Sequence, residues 1–382
     1  MTEVSMIIGV PKEIKTEEHR VGLTPYSVRE LISHGHEVYV EHNAGDGINF
    51  NDDAYAASGA KIANNAKELY EKADMIVKVK EPQHSEFKLL REGQILFAYL
   101  HLAPDLAQAE ALLKSGCIAI AYETVTSADG GLPLLSPMSQ VAGRLSIQAG
   151  AHCLEKPSGG SGILLGGVPG VYPGKVTVIG GGVVGTNAVR MAMGKGAQVT
   201  VLDKSLRRLQ ELDLQFGGRL NTAYATESSL EQYVIDADLV IGAVLVPGES
   251  APKLVSREIL KKMRPGSVMV DVAIDQGGCF QTSRPTTHTE PTYVIDDIVH
   301  YCVTNMPGAV PYTSTLALNN ATLSFVIELA DKGYRQALLD DHYLQNGLNV
   351  YQGHITHRGV ARALNKPYVS PVELLKSVEL LK

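Results

Sequence analysis

The stretch 175–203, KVTVIGGGVVGTNAVRMAMGKGAQVTVLD, leaves few folds open. Residues 176–179 are a short apolar, β-branched run. The run breaks at Gly180, Gly181 and Gly182, and apolar residues then recur at helical spacing through Val184, Ala188, Val189 and Ala192. The order is strand, turn, helix. Gly180, Gly182 and Gly185 keep the G-x-G-x-x-G spacing, in which the first glycine makes the tight turn and the second admits a pyrophosphate close to the backbone. The third lets helix and strand pack closely. Free backbone N–H groups at the positive end of the helix dipole then face the anion. A second strand, 198–202, runs into Asp203, whose carboxylate can accept hydrogen bonds from ribose hydroxyls and repel a 2′-phosphate. The pattern predicts a dinucleotide site and NAD rather than NADP, although Lys204, Arg207 and Arg208 follow the acid directly.

At 382 residues the chain is long enough for two or three domains. Its 45% hydrophobic and 20% charged content, with 37 glycines, is that of a globular protein with many turns. A formal net charge of −7 and the lack of a basic stripe argue against a nucleic-acid partner. No apolar run approaches the ~18 residues of a membrane span, and the first residues lack the pattern of a signal peptide. The four cysteines show no C-x-x-C and no zinc spacing with histidine, so no metal is expected and reduced thiols in a cytoplasm fit best.

Before the glycine turn the chain alternates. Strands are predicted at 6–10, 37–40, 75–80, 94–100 and 118–122, with helices opened by Thr24 and Pro25, by Asn51 and Asp52, at 64–73 and after Pro104. The first ~125 residues therefore read as a doubly wound parallel sheet of their own. A Gly, Pro and Ser-rich connection at 126–137 leads to a helix at 138–154 and then to a glycine and proline loop at 158–174. Beyond Asp203, runs at 238–245 and 267–273 suit interior strands, with a helix between them from Ser256. A long helical pattern covers 313–330, and the remaining tail reads as helical and polar. The expected fold is α/β, with two Rossmann-like doubly wound parallel-sheet domains separated by a cleft.

Several residues break the local pattern. Lys78 and Lys80 share one face of a segment otherwise suited to a core, so one of them faces an anion or both solvate at the strand end. His101 follows an apolar strand at the same sheet edge, where a histidine can exchange protons near neutral pH or simply pack. Arg20 lies in a polar stretch past the first strand, free to clamp a carboxylate or to sit in a loop. Asp271 and Asp275 bracket the end of another strand, and Asn305 and Met306 end a further one. Turn or cap roles are the plain alternatives for these four.

These segments together resemble one family over nearly the whole chain, the NAD-dependent alanine dehydrogenases. The motifs that carry the resemblance include RVGLTP at 20–25, VKEP at 79–82, ILFAYLHLA at 95–103, YETV at 122–125 and PMSQVAGRL at 137–145. GGVPGV at 166–171, GGGVVGTNA at 180–188, GAVLVPG at 242–248, DVAIDQGGC at 271–279, SRPTTH at 283–288 and YCVTNMPGAVP at 301–311 extend it. The resemblance implies a substrate domain made from 1–134 and 307–382 with an NAD-binding Rossmann domain, 135–306, inserted between. It implies substrate anchors at Arg20 and Lys80, an acid/base histidine at His101 and a catalytic aspartate at Asp275. Cofactor contacts are implied at Ser139, Asp203, Arg208, Val244, Leu245, Val272, Ala273, Ile274, Asp275, Arg284, Val303, Thr304, Asn305 and Met306. A serine contact of the family falls on Ala225 here, which has no hydroxyl.

The activity so implied is reversible oxidative deamination of L-alanine with NAD to pyruvate and ammonia, in a cytoplasmic homohexamer that needs neither membrane nor nucleic acid. The nearest rival is the nucleotide-binding component of a proton-pumping transhydrogenase. A non-catalytic NAD-binding regulator is the rival from another class, and for it the set Arg20, Lys80, His101 and Asp275 should be damaged.

Overall fold

The computed structural model describes residues 5–244 and 251–377. The chain divides into two compact units, one of residues 1–137 and 310–382 and the other of residues 138–309.

The first unit opens with six strands: β1 (Ile7–Val10), β2 (Glu37–Glu41), β3 (Lys61–Ala63), β4 (Met75–Val77), β5 (Ile95–Ala98) and β6 (Ile118–Ala121). Neighbouring members pair in parallel. Every residue of β4, β5 and β6 is buried, as in interior strands covered on both faces. Helix Pro25–Ser33 starts where the sequence predicts. The Thr24 hydroxyl accepts the Ser27 N–H, Pro25 needs no partner in the first turn, and Gly35 turns the chain out at φ +86°.

The second unit contains β7 (Lys175–Ile179), β8 (Gln198–Asp203), β9 (Leu220–Tyr224), β10 (Leu239–Gly242), β11 (Val268–Asp271), β12 (Thr292–Ile295) and β13 (Ile298–Tyr301). Its spatial order is β12-β13-β11-β10-β7-β8-β9. The chain then returns to the first unit through helix Pro311–Asp340, and β14 (Leu348–Tyr351) and β15 (His354–Ile355) extend that sheet to β15-β14-β6-β5-β4-β1-β2-β3.

The six parallel strands of each sheet follow one winding. Counting from β1 in one unit and β7 in the other, the order is third, second, first, fourth, fifth, sixth, the doubly wound arrangement. The order reverses between β1 and β4, and between β7 and β10. Ligands bind outside the carboxyl ends of the strands at such a reversal.

The structure corrects several expectations. The two doubly wound, mostly parallel sheets are as expected, but each gains an antiparallel addition, β14 against β6 and β12 against β13. The tail is not wholly helical: 348–351 reads LNVY, and all four residues are buried, as an added strand requires. The strand expected to reach Lys80 ends at Val77. The helix expected at 313–330 runs Pro311–Asp340 with a break at Gly333, whose φ and ψ of 74° and 149° are not helical. The helix from Ser256 covers only Arg257–Leu260. Leu245, the end of the strand expected at 238–245, lies outside the described residues.

Candidate active site

In the second unit the site begins at the turn after β7. Gly180 has φ +100°, and a Cβ there would lie 2.6 Å from the Ala243 carbonyl. A Cβ on Gly185 would overlap the Gly180 carbonyl oxygen. The fold itself therefore needs glycine at these two positions. At Gly182 a Cβ would meet nothing within 4 Å among the described residues, so they leave the space in front of that backbone open for a ligand. Gly182 is also the N-cap of helix Val183–Gly194 and supplies no side chain to its first N–H groups. An open backbone approach at the positive end of a helix fits a pyrophosphate.

Asp203 ends β8 and reaches back to this turn. Its Oδ2 accepts the Gly181 N–H at 2.7 Å and its Oδ1 the Ser205 N–H at 2.8 Å. Arg208 closes the other side: Nε donates to the Gly181 carbonyl at 2.7 Å, Nη2 to Thr186 Oγ1 at 2.7 Å and Nη1 to Glu211 at 2.7 Å. Arg208 thus stabilises the glycine turn directly.

At the carboxyl ends of β11 and β13 two further segments meet. Buried Asp271 ends β11, and its carboxylate accepts from the N–H of Ala273 at 3.0 Å, of Cys279 at 2.8 Å and of Phe280 at 3.3 Å, and from the Ser283 hydroxyl. Burial pushes its pKa up, and these hydrogen bonds only partly oppose it. The loop they fasten carries the 3-10 turn Val272–Gln276 and presents Asp275 to solvent. Asp275 Oδ1 accepts the N–H of Asn305 at 3.4 Å. Asn305 holds φ +56°, a left-handed conformation in which asparagine is common, and His288 Nε2 lies 3.3 Å from its carbonyl. Met306 is buried, and Val303 bridges in parallel to Thr286. Arg284 lies over the Tyr293 ring at 4.1 Å, a cation–π contact. Ser139 is half-buried in helix Ser136–Cys153, and Val244 is half-buried beyond β10. Leu245 again lies outside the described residues.

In the first unit the chain leaves β1, β4 and β5 at one edge of the sheet, and Arg20, Lys80 and His101 follow those strands. Arg20 is 2% exposed, and its Nε donates to Glu18 Oε1 at 2.7 Å while Nη2 binds the other oxygen. Burial lowers the guanidinium pKa, but the Glu18 hydrogen bonds and charge reverse this and raise it. Arg20 lines a cavity of about 340 Å³ with Lys12, Glu13, Lys15, Glu18 and Asn43. Asn319, from helix Pro311–Asp340, pins the following segment: its Oδ1 accepts the Thr24 N–H at 2.8 Å and its Nδ2 donates to the Gly22 carbonyl at 3.1 Å.

Of the two lysines, Lys78 is wholly buried against Glu13 and Glu86, at 3.0 and 3.4 Å. The anion facing it is the protein's own, and half-buried Lys80 stands nearer the surface. His101 is exposed at φ +48° and its ring stacks on Tyr99, centroids 6.0 Å apart. Glu123, just past β6, holds this bend by accepting the His101 N–H at 2.7 Å and the Leu100 N–H at 3.2 Å. The Arg20 charge also reaches the Tyr99 hydroxyl, whose pKa burial raises.

Sequence reasoning missed Glu13, Glu18, Glu123 and Asn319. Each works through backbone N–H groups or another side chain, and single acids in polar stretches carry no periodic signal. Among the described residues no group of three or more His, Cys, Asp or Glu could hold a metal ion.

The two family models that match are described as "Alanine dehydrogenase/PNT, N-terminal domain", over residues 9–142, and "Alanine dehydrogenase/PNT, C-terminal domain", over residues 146–358. An alanine dehydrogenase of Halomonas elongata is 58% identical over 370 residues, 97% of this chain and 100% of the relative. The chain belongs to the alanine dehydrogenase/PNT family. Alanine dehydrogenase 2 of Staphylococcus aureus is 54% identical over 97% of the chain and 100% of its own length. Among solved structures, an L-alanine dehydrogenase superposes with a TM-score of 0.92 at 52% identity, covering 94% of this chain and 99% of that one. A transhydrogenase from Sinorhizobium meliloti, at 24% identity and a TM-score of 0.79, covers 92% of this chain and 99% of that one and shares the fold. As a member of the alanine dehydrogenase family the protein is an oxidoreductase, and the open glycine turn suits the family's nicotinamide cofactor. No described helix is long and apolar enough to cross a membrane.

Proposed function

We propose that the protein catalyses the reversible, NAD-dependent oxidative deamination of L-alanine to pyruvate and ammonia. The observation that carries this reading is the arrival of Arg20, Lys80 and His101 at the carboxyl edge of one sheet, beside the reversal between β1 and β4. Gly180, Gly182, Gly185, Asp203 and the segments at 272–275 and 303–306 would hold the dinucleotide, which when bound would supply the hydride-accepting chemistry for the substrate Cα. Asp203 favours NAD, because a 2′-phosphate would meet its carboxylate.

Arg20 and Lys80 bind the substrate carboxylate and fix the amino acid in one orientation, which removes the entropy cost of aligning it. Lys80 also polarises the carbonyl oxygen of pyruvate in the reverse direction. His101 takes a proton from the water that adds to the substrate imine and returns it in reverse. Asp275 supplies negative charge to stabilise the cationic imine. Assembly as a homohexamer in the cytoplasm completes the reading, with the mass in solution as its check.

The direct test is reduction of NAD by purified protein with L-alanine, D-alanine, L-serine and L-lysine, repeated with NADP. Turnover specific to L-alanine with NAD is the expected result. Retained NADH binding without turnover of any amino acid overturns the reading in favour of the transhydrogenase component or a silent regulator.

A further inference from the structure

Three buried charges in the first unit take no part in the steps above. Lys78 is 0% exposed, Glu86 2% and Glu13 6%. Lys78 Nζ donates to Glu13 Oε2 at 3.0 Å and to Glu86 Oε2 at 3.4 Å. Glu86 is anchored in turn: Oε1 accepts the Tyr70 hydroxyl at 3.0 Å and Oε2 the Gln83 N–H at 2.7 Å. The remaining oxygen of Glu13 accepts two backbone N–H groups, that of Val79 at 2.6 Å and that of Lys80 at 3.2 Å.

This arrangement is costly if its only role is packing. Apolar residues of similar volume commonly replace buried ion pairs at no loss of stability, and here two carboxylates share one ammonium. Burial accordingly pushes the Glu13 carboxyl up, against the attraction of Lys78. What an apolar residue cannot do is accept both amides where β4 leaves the sheet. Glu13 follows β1 and Lys80 follows β4, so their contact ties together the two strand ends at the reversal of the sheet. The Arg20 segment presses on the same place, because a Cβ on Gly22 would overlap the Val77 carbonyl oxygen.

We infer that Glu13 is a positioning residue for Lys80: its carboxylate, itself held by Lys78, fixes the backbone at 79–80 and so aims the Lys80 side chain at the substrate carboxylate. Lys78 is enclosed by its two carboxylates and serves the scaffold. The inference rests on the proposed reading of Lys80 as a substrate anchor.

The test is a double-substitution cycle in the full chain with Glu13→Gln, Lys80→Ala and both together. It reads pyruvate binding to the NADH-bound protein without ammonia, and kcat and KM for pyruvate with ammonia. Glu13→Gln keeps an acceptor oxygen but turns an N–H donor toward Lys78 or the amides. It should weaken pyruvate binding about ten- to a hundredfold, as misplacing a group by ~1 Å does. KM should suffer more than kcat, and NADH binding should change less than about twofold. In the Lys80→Ala background the same substitution should cost less than about twofold. An equal loss in both backgrounds overturns the positioning role and leaves Lys80 as an anchor. Unchanged pyruvate binding in Lys80→Ala alone overturns the assignment of Lys80, and this inference with it. If Glu13→Gln does not fold, Glu13→Asp, which keeps the charge but withdraws the carboxylate by one methylene, goes through the same cycle with the same outcomes.

Discussion

Asp203 Oδ2 and the amide nitrogen of Gly181 lie 2.7 Å apart, so the acid at the end of β8 is bonded to the turn that follows β7. One carboxylate therefore braces the glycine turn, and in the proposed function it also meets the ribose of the dinucleotide. Asp203→Ala should cost NAD more than the lost ribose bonds alone, raising its KM about tenfold or more, while admitting the 2′-phosphate of NADP. The ratio of kcat/KM for NAD and NADP measures the change. A ratio that does not move toward NADP would remove Asp203 from cofactor choice.

The three glycines of the turn separate stability from binding. Gly182→Ala places a methyl where, among the described residues, no neighbouring segment comes within 4 Å. It should leave thermal unfolding almost unchanged and weaken NADH binding. Gly185→Ala drives a methyl into the Gly180 carbonyl oxygen, so it should destabilise the fold by about 1–3 kcal/mol or more. Unfolding curves and NADH titrations of the two variants should fall into opposite classes.

His101 sits at φ +48°, a backbone region that alanine tolerates poorly and asparagine well. His101→Asn is therefore the cleaner probe of its chemistry. It should lower kcat by roughly 10²- to 10⁴-fold if the imidazole is the acid/base, with NADH binding intact. A fall under about threefold would sink that role.

Two other histidines link stability to pH. Burial pushes both His300 and His357 below the usual imidazole value. His300 donates from Nδ1 to the Ile298 carbonyl at 3.0 Å and accepts at Nε2 from Thr282, 2.8 Å away, and this pair of bonds suits the neutral ring. His357 Nδ1 accepts the Val360 N–H at 3.3 Å and caps helix Arg358–Ala363. With folded values depressed, the unfolded chain takes the proton first. The stability they give is complete above about pH 6.5 and declines as the pH falls toward the folded values, by at most ~1.4 kcal/mol per pH unit for each histidine. His357→Asn keeps a cap that does not titrate, so it should flatten the fall in Tm between about pH 6.5 and 5. A slope identical to that of the parent protein would show that His357 contributes nothing to it.

Tyr122 is fully buried in a T-shaped ladder between Phe97 and Tyr99, yet its hydroxyl has no hydrogen-bond partner among the described residues. Tyr122→Phe should therefore be neutral or stabilising by up to about 1 kcal/mol. A loss of more than ~1 kcal/mol in denaturant unfolding would reveal a partner such as an ordered water.

The parts of the fold most legible in the sequence were those whose signals are local. The turn Gly180 to Gly185 and the Thr24–Pro25 cap name their own geometry, because φ, a missing Cβ or a side-chain oxygen determines each. Strands β1, β2, β4 to β8, β10 and β11 announced themselves as short runs rich in apolar residues. Strand β14 did not, because LNVY is too short to be told from a helical turn by pattern, and its partner lies far away in the chain. At the candidate site, Arg20, His101 and Asp275 stood out as polar residues at strand ends. Lys78 and Lys80 looked equivalent, since only the distant acids Glu13 and Glu86 distinguish the enclosed lysine from the accessible one. Glu123 and Asn319 were silent for the same reason: each grips backbone belonging to another segment.

The seam between β6 and β14 sets a timetable for synthesis. Asn349 Nδ2 bonds Thr124 Oγ1 at 2.7 Å across 225 positions of sequence. At about 5–20 residues per second on a ribosome, β6 waits on the order of 10–45 s for the strand that covers its edge. The insert at 138–309 is contiguous and emerges whole in the meantime. A nascent chain stalled just before residue 348 would carry the whole second unit and a first sheet whose β6 edge is still bare, open to pairing with a stray strand.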